Sequence, residues 1–396
     1  MDALITDACS RIAYSALRSL SALGLDVAVA DDKRAGMCQW SRLSKAVHTY
    51  APPLTRPEEF IQDVNRILGE TGARFLLPGY EETEVLARHR ASLPPDVVLP
   101  VADYDKIHMA NDKARTMELA RSVGVPVAET VEWKELPELE RALRQDGGPV
   151  VVKLRRGNSA KGVFYPRDPA ETLAVCKGLI EKYRLEPGRY PVVQRKVYGP
   201  KWSVALVYWE GRELAHFTQL MLRENPPTGG TSTYRVSVNN ATLESYARSM
   251  VGGLGWHGVV MVEFKYDRER EQFTFIELNP RLWGAISHAV SAGADFVRLL
   301  YVASTLGPDK AAAMVKPYRT GVYSRWLMGD MMLALSEFKK KRPLSALRLI
   351  TPGGSDDYDE LKADDPGAFF GEFAYFLSKF IRTGALKPAA EEGVLG

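Results

Sequence analysis

Short apolar runs alternate with helical stretches over the first hundred residues, and this alternation limits the fold more than any other feature of the sequence. Apolar runs at Ala3–Thr6, Val27–Ala30 and Phe75–Leu77 are separated by helical stretches at Arg11–Leu23 and Glu58–Gly69. Strands that alternate with helices form a parallel sheet covered by those helices. The sequence therefore predicts a Rossmann-like module of the α/β class at the N-terminus.

This module lacks the glycine pattern of dinucleotide-binding folds. Its first turn, Thr6-Asp7-Ala8-Cys9-Ser10, has no glycine that would let the backbone approach a pyrophosphate. The pattern Gly-x-Gly-x-x-Gly does occur at 253–258, but there it follows a helix and precedes a strand, which is the reverse of the nucleotide-binding context. We therefore expect no NAD site, although the carboxyl ends of the strands still form a crevice for another ligand.

Cysteine, histidine and charge patterns argue against several classes of function. Cys9, Cys38 and Cys176 show no paired spacing, which argues against disulfides and thiolate metal sites and favours a reducing cytoplasm. The six histidines never occur at the spacing of zinc hydrolases. Lys and Arg number 52 against 49 Asp and Glu, a balance that argues against nucleic acid as the main partner. The sequence shows neither a signal peptide nor a membrane span, so we expect a cytoplasmic protein that does not bind membranes.

The C-terminal part of the sequence predicts helices at Ala289–Thr305, Trp326–Lys341 and Phe369–Phe380. The basic run Lys339-Lys340-Lys341-Arg342 ends the second of these helices. Such a run can indicate anionic partners, but positive charge is also favoured at the negative end of a helix dipole. We favour the second explanation.

Oxygen-bearing side chains lie on two neighbouring predicted strands. The first strand is Gly258–Tyr266, and the second is Gln272–Leu278, which Asn279 directly follows. Glu263 is on the first strand, whereas Glu277 and Asn279 are two residues apart and therefore share a face of the second. Hard oxygen ligands that converge on one point suit Mg²⁺ held jointly with nucleotide phosphates. For Glu263 alone, a solvated carboxylate is the alternative.

One lysine interrupts the otherwise apolar strand that ends at Leu154. Burying Lys153 is costly unless it meets an anion, which makes it a candidate phosphate ligand, with a snorkelling side chain as the alternative. The small-residue loop between Gly157 and Gly162 follows, and its glycines would let backbone N–H groups point at phosphates. It is not a P-loop, because Val163 stands where that motif needs lysine and the loop joins a strand to a strand.

In this order along the chain the motifs resemble the ATP-grasp superfamily, and within it the carboxylate-amine ligases. The resemblance covers roughly residues 1 to 305 and rests on Asn111-Asp112-Lys113, Lys153, the small-residue loop, Val193 to Val197, and Glu263, Glu277, Asn279 and Arg281. It implies an α/β protein with the ATP-grasp fold, α+β in the ATP-binding part. The implied regions are an N-terminal Rossmann-like pre-ATP-grasp domain at 1–108, a lid domain at 109–195, a large domain with the metal site at 196–310 and a C-terminal helical extension at 311–396.

The resemblance also implies the cofactors, ATP and Mg²⁺ or Mn²⁺, and the residues that bind them. Metal ligands are implied at Glu263, Glu277 and Asn279. ATP contacts are implied at Lys113, Lys153, Gly157, Ser159, Ala160, Gly162, Gln194, Arg195 and Val197. Among them, the Gln194 side chain and backbone groups of Arg195 and Val197 are implied to contact adenine. Many relatives carry an acidic residue at the position of Lys201 to bind the ribose hydroxyls. Lysine cannot accept that hydrogen bond, so the ribose contact is left unassigned.

Substrate residues are expected near the crevice of the first module and near the phosphates. We predict that the catalytic residues Arg223 and Arg281 bind the carboxylate to be activated, through bidentate bonds. We predict that Glu82 helps to place the amine. The alternatives are an exposed arginine for Arg223 and, for Glu82, an acid favoured at a helix start by the helix dipole.

These observations lead to a main hypothesis and two alternatives. The main hypothesis is an ATP-dependent carboxylate-amine ligase that forms an amide or peptide bond through an acyl phosphate and releases ADP and phosphate. Its substrates would be small carboxylates and amines, amino acids among them, and a homodimer is a possible assembly. One alternative is a carboxylase-like enzyme that passes carboxyphosphate to another acceptor, although no biotin-carrying segment is recognisable. The other is a degenerate nucleotide-binding regulatory protein.

Overall fold

Three β-sheets organise the computed structural model, which describes residues 1–145, 147–157, 162–227, 229–351 and 353–383. The first sheet is parallel, with strand order β3-β2-β1-β4. Its strands and their helices are β1 (Ala3–Ile5), α1 (Arg11–Ser21), β2 (Val27–Asp31), a 3-10 turn (Cys38–Trp40), β3 (Ser44–Thr49), α2 (Pro57–Thr71), β4 (Phe75–Leu77), α3 (Glu82–Arg88) and a second 3-10 turn (Arg90–Ser92).

The sequence explains why these elements form where they do. All residues of β1, β2 and β4 are buried, in agreement with their apolar runs. Helix α1 begins after Ser10, whose side chain accepts a hydrogen bond from the Ala13 N–H. Strand β3 is missing from the sequence prediction because its side chains alternate between half-buried and exposed at the sheet edge, so no apolar run marks it.

The second sheet is antiparallel, with strand order β5-β8-β6-β7. Asp112 caps the helix that begins at Lys113, because its side chain accepts bonds from the N–H groups of Ala114 and Arg115. The elements are α4 (Tyr104–Ala110), α5 (Lys113–Ser122), β5 (Thr130–Val131), α6 (Leu136–Gln145), β6 (Val150–Lys153), β7 (Val163–Phe164), α7 (Pro169–Tyr183) and β8 (Val192–Arg195).

The third sheet has seven strands in the order β13-β12-β9-β10-β11-β14-β15, and all neighbours are antiparallel except the last pair. Its strands and the remaining helices are β9 (Lys201–Trp209), β10 (Arg212–Asn225), β11 (Thr231–Ser237), α8 (Ala241–Val251), a 3-10 turn (Gly252–Leu254), β12 (Gly258–Asp267), β13 (Gln272–Asn279), α9 (Ile286–Ala292), α10 (Phe296–Leu306), α11 (Pro308–Met314), β14 (Tyr323–Arg325), α12 (Leu327–Lys339), α13 (Pro343–Ile350), β15 (Asp357–Tyr358) and α14 (Pro366–Thr383).

The C-terminal region is built into this sheet as well as being helical. Strand β14 pairs with β11, and β15 pairs with β14. A buried ion pair joins Arg235 of β11 to Asp359, which directly follows β15, and both side chains are 0% exposed. The sequence prediction of helices alone for this region therefore missed two strands that extend the central sheet.

One apolar core joins the first and third sheets. It contains Ile5 and Leu17 from the first module together with Phe217, Trp283 and Phe296 from the third sheet and the helices that follow it. This shared core holds the carboxyl edge of the parallel sheet next to strands β12 and β13. No single helix in the described ranges has both the length and the apolar composition to cross a bilayer. Helices α9 and α10 have that length and composition only when taken together, and they are bent by 81° relative to each other.

Candidate active site

The carboxylates that the sequence singles out lie on paired strands. Glu263 on β12 is directly opposite Glu277 on β13, and Met261 is opposite Asn279. The Asn279 side-chain N–H donates to the Glu277 carboxylate over 3.4 Å. The structure therefore brings Glu263, Glu277 and Asn279 together, as their spacing predicts.

This group of oxygen ligands suits a metal ion that is shared with phosphates. Among the described residues there is no cluster of three or more His, Cys, Asp or Glu side chains that would hold a metal alone. Two carboxylates and an amide oxygen would instead fill part of the coordination shell of Mg²⁺, and phosphate oxygens would complete it. Glu263, Glu277 and Asn279 therefore fit Mg²⁺ bound together with a nucleotide.

Two buried lysines face the carboxylates. The Lys153 ammonium donates to Gln194 Oε1 over 2.9 Å, and the Lys113 ammonium donates to the Gly157 carbonyl over 2.6 Å. Lys113 Nζ is also 4.0 Å from Glu277 Oε2. Burial lowers the pKa of Lys153 to about 8 and lowers that of Lys113, while Glu277 opposes both shifts. A polyphosphate entering here would meet desolvated cations.

Replacing Lys153 by Ala is expected to weaken ATP binding by about tenfold or more, because a charge-assisted bond to phosphate contributes roughly 1.5 to 3 kcal/mol. Calorimetric titration with ATP and Mg²⁺ measures this loss. Lys177→Ala serves as the matched control, since Lys177 lies on α7 with its side chain in solvent. Equal ATP affinity in both variants would mean that Lys153 only snorkels.

The loop expected to cover the phosphates begins and ends with glycines in the left-handed region. Gly157 has φ of 138° and Gly162 has φ of 70°, conformations that other residues rarely adopt. The carbonyl of Gly162 accepts a bond from the Leu154 N–H, which closes the base of the loop. Ser159 and Ala160, which the sequence also assigns to this loop, lie outside the described residues.

The segment expected to read adenine lies at the cavity wall, but its glutamine differs from the prediction. Gln194 uses its side chain inside the protein: it accepts from Lys153 and donates toward Met117 Sδ and Thr130 Oγ1. This makes Gln194 a positioning residue for Lys153 in place of the predicted adenine contact. Arg195 and Val197 line the same cavity. The Arg195 N–H donates to the Glu129 carbonyl, and the adenine contacts through backbone groups of Arg195 and Val197 stay a prediction.

Lys201, where relatives carry an acid, occupies the space between two carboxylates. Its ammonium lies 2.6 Å from Glu224 Oε1 and 3.5 Å from Glu263 Oε2, and it donates to the Gly230 carbonyl. Burial alone would lower its pKa, but Glu263 and Glu224 outweigh burial and raise it above the ordinary value. Lys201 therefore remains charged and adds a fixed positive charge beside Glu263.

Arg281 lies where the phosphate site meets the rest of the cavity. Its guanidinium donates to Asn279 Oδ1 over 3.0 Å and stacks over the Tyr80 ring at 4.0 Å. Tyr80 and Arg281 both line the cavity. Arg281 is thus oriented by Asn279 on β13 and by Tyr80 of the first module, and its role beside an acyl phosphate stays a prediction.

The cavity has a volume of about 530 Å³, and one part of its lining, which sequence reasoning missed, contains Arg11, Trp326 and Glu372. In this part Arg11 stacks over Trp326 at 3.8 Å, and the Trp326 indole N–H donates to the Glu372 carboxylate over 3.0 Å. Burial raises the pKa of Glu372 to about 7. Aromatic residues Trp283 and Phe376 complete this wall. No local pattern marks these residues, because their partners lie hundreds of positions apart in the chain.

Arg223 does not reach the position predicted for it. Its guanidinium binds Asp330 of α12 through two bonds, one of them 2.8 Å long, and stacks over Tyr234 at 5.2 Å. Arg223 is not among the described residues that line the cavity. The two-point bond with a fully buried carboxylate occupies the guanidinium, which argues against the predicted catalytic and substrate-binding role of Arg223.

Glu82 also departs from its predicted role. It is buried, and its Oε1 accepts a bond from the Tyr50 hydroxyl over 2.7 Å. Its Oε2 has no hydrogen-bond partner within the part of the chain that the structure describes. Burial raises the pKa of Glu82 to about 7. The carboxylate is thus held inside the first module by Tyr50, away from the cavity where an amine would bind.

Because folding favours the protonated form of Glu82, its contribution to stability is complete below the ordinary pKa and is lost as pH rises through about 7. Glu82→Gln cannot ionise. We expect its melting temperature relative to the original protein to increase between about pH 5 and about pH 8. Melting curves across that range test this, with exposed Glu59→Gln as the control. A constant difference across the range would contradict the assignment.

Comparison with known proteins gives distant relatives of one kind. No protein-family model matches the chain. The chain is 25% identical over 250 residues to the mitochondrial methylcrotonoyl-CoA carboxylase subunit alpha of Arabidopsis thaliana, a match that covers 57% of this chain and 32% of that protein. The curated relatives that it matches are longer, and the aligned part spans 32 to 41% of their length.

Two solved structures share most of the fold. The biotin carboxylase of Campylobacter jejuni superposes with a TM-score of 0.64 at 15% identity, covering 81% of this chain and 74% of that one. The biotin carboxylase domain of the Hydrogenobacter thermophilus 2-oxoglutarate carboxylase, solved as a dimer with MgADP and bicarbonate, gives a TM-score of 0.61 at 16% identity and covers 81% and 73%.

Each of these two matches covers 81% of this chain. They agree with the order of motifs along the chain and with the geometry of the site. The chain therefore has the ATP-grasp fold, as the sequence motifs predict.

Proposed function

We propose that this protein is an ATP-dependent enzyme that phosphorylates an acid and transfers the activated group to a nitrogen nucleophile. The observation that carries the proposal is the position of Glu263, Glu277 and Asn279 on paired strands facing Lys113 and Lys153. Similarity to biotin carboxylases supports the carboxylase-like form over the amide-bond ligase. In that form the acid is bicarbonate and the activated intermediate is carboxyphosphate.

Each residue of the site has a distinct part in this reaction. Lys113 and Lys153 bind the phosphates of ATP and neutralise their charge. Glu263, Glu277 and Asn279 would hold Mg²⁺, which neutralises further phosphate charge when bound. Arg281 stabilises the charge that develops on the acid as it is phosphorylated and attacked. Phosphoryl transfer depends on positioning and electrostatic stabilisation, which agrees with a site that offers several cations.

Two steps complete the reaction. An oxygen of the acid attacks the γ-phosphorus, and the bond from that phosphorus to the bridging oxygen of ADP breaks. The nitrogen nucleophile then attacks the carbonyl carbon, a C–N bond forms, the C–O bond to phosphate breaks, and the nitrogen gives up its proton to the departing phosphate. ADP and phosphate are the products, and the acid has donated one oxygen to phosphate.

An amide-bond ligase remains the second candidate because of one feature of the cavity. One part of the cavity lining contains Trp283, Trp326 and Phe376. Bicarbonate leaves this apolar part of the cavity empty, whereas an organic acid or amine would fill it. The buried, unpaired cysteines support a reducing, cytoplasmic location, which we retain as part of the proposal.

Release of ADP with ¹⁸O-labelled acids tests the proposal and separates the two candidates. ADP formation that depends on bicarbonate, with ¹⁸O from bicarbonate appearing in phosphate, supports the carboxylase-like enzyme. ADP formation that requires an organic carboxylate and an amine, with ¹⁸O transferred from that carboxylate, identifies the amide-bond ligase. Absence of ADP with every acid, in a protein that binds ATP, would contradict both and favour a regulatory nucleotide-binding protein.

A further inference from the structure

The C-terminal helices expose an unusual amount of apolar surface. Of the 21 large apolar side chains exposed in the described part of the chain, eleven lie between residues 335 and 381. They are Leu335, Phe338, Leu344, Leu347, Ile350, Leu361, Phe370, Phe373, Leu377, Phe380 and Ile381. Apolar residues concentrated this strongly indicate a surface that contacts something other than water.

Helix α13 shows this most clearly. Ala346 is its only buried residue, while Leu344 is 74% exposed and Leu347 is 56% exposed. A helix that packs on a protein core turns its leucines inward. Helix α13, together with Leu335 and Phe338 at the end of α12, instead presents leucines and phenylalanine to the outside.

Helix α14 is apolar on two faces. Phe370, Phe373, Leu377 and Phe380 follow one another at intervals of three and four residues, which places them on one side of the helix. The residues that line the cavity, such as Phe376, lie on another side. The exposed stripe is therefore additional to the face that α14 uses inside the protein.

Positive charge accompanies the apolar residues. Lys339, Lys340, Lys341 and Arg342 form the exposed connection between α12 and α13, and Arg348 is exposed on α13. One acid, Glu337, lies close enough to form ion pairs with Lys340 and Arg342, at 2.8 and 3.8 Å. This basic run suits a helix dipole, but it is also a cluster of positive charges beside apolar side chains. That combination is typical of helices that lie on anionic membranes.

We propose that α13 and the end of α12, here called the C-terminal apolar surface, dock on an anionic lipid bilayer. A second copy of the chain fits less well, because a two-fold contact through the same surface would place two basic clusters against each other. Residues 384–396 contain only three large apolar residues, Leu386, Val394 and Leu395, too few to cover eleven. The sequence expectation of a protein that does not bind membranes is revised in this respect.

This docking would also bring the cavity close to the bilayer. Met332 of α12 lines the cavity, so one of the two helices that dock also bounds it. The inference rests on the exposed surface and its charge, and it stands independently of which acid is activated.

Sedimentation of the full chain with lipid vesicles tests the proposal. We expect the protein to bind vesicles of phosphatidylglycerol and phosphatidylcholine but not vesicles of phosphatidylcholine alone, and to be released by salt. The double change Leu344→Asp with Leu347→Asp should lower the bound fraction by about tenfold or more. Replacing Lys339, Lys340, Lys341 and Arg342 by Gln should produce a similar loss on anionic vesicles.

Leu306→Asp is the matched control, because Leu306 is 66% exposed at the end of α10, outside the C-terminal apolar surface. It should bind vesicles like the original protein. All variants should keep the melting temperature and the ATP affinity of the original. No binding to anionic vesicles, or equal binding by the Leu344/Leu347 double variant, would overturn the proposal. A dimer that the double variant dissociates would also overturn it and identify a second copy as the partner.

Discussion

Replacing Glu277 by Gln is expected to lower ATP turnover by about 100-fold or more, the scale observed when one preorganised electrostatic contact to a reacting group is lost. Glu277 is the carboxylate that Lys113, Lys201 and Lys153 surround. Although burial raises its pKa, these lysines lower it below the ordinary value, so the side chain is ionised in the site. Glutamine keeps the volume and one oxygen but removes the charge that would hold Mg²⁺. Measurement of ADP release under saturating substrate tests the expectation.

Glu271→Gln provides the matched control, because Glu271 is exposed at the turn before β13 and touches no site residue. It should turn over ATP like the original protein. The Glu277 variant should melt at an unchanged temperature, which separates loss of a ligand from loss of the fold. Turnover at the original rate with ordinary Mg²⁺ would remove Glu277 from the site.

Replacing Asp359 by Asn is expected to lower the free energy of unfolding by about 3 kcal/mol or more, the cost of breaking a buried ion pair from one side. Asp359 binds Arg235, accepts bonds from Ser287 and Ser324, and lies 3.4 Å from Arg11 Nε. Asparagine removes the negative charge and leaves two buried arginines with less counter-charge. Urea unfolding followed by tryptophan fluorescence measures the change.

Asp309→Asn is the control for this experiment. Asp309 is 91% exposed and pairs with Arg212 at the surface, so its loss should change stability by no more than about 0.5 kcal/mol. A similar small change for Asp359→Asn would show that Arg235 and Arg11 are adequately neutralised by other groups.

The sequence could predict the part of the site whose geometry is local. Glu263, Glu277 and Asn279 lie within one pair of neighbouring strands, so the period of two fixes which side chains meet. Lys153 could be identified because an unpaired lysine is costly in an apolar strand. Each of these signals depends on residues close together in the chain, and none needs knowledge of how distant segments pack.

The sequence could not predict the parts that depend on distant partners. Arg223 is exposed or buried according to whether Asp330, more than a hundred residues later, binds it. Arg11 and Trp326 stack although most of the chain separates them. The sequences of residues 1–108 and of the C-terminal helices do not indicate that the two segments contact each other. Only their packing creates the apolar part of the cavity. The sequence shows Glu82 only as an acidic residue at the start of a helix. That pattern is the same whether the side chain faces Tyr50 or a substrate.

The pairing of β14 with β11 has a consequence for any shortened form of this protein. A chain cut before Tyr323 would lose β14 and β15, and the N–H and C=O groups of Thr231–Ser237 would form an open sheet edge. Open edges recruit strands from other molecules, so such fragments would self-associate. Arg235 would lose its buried partner Asp359 in the same cut. The smallest piece that can be prepared in monodisperse form therefore extends to Asp359 or beyond.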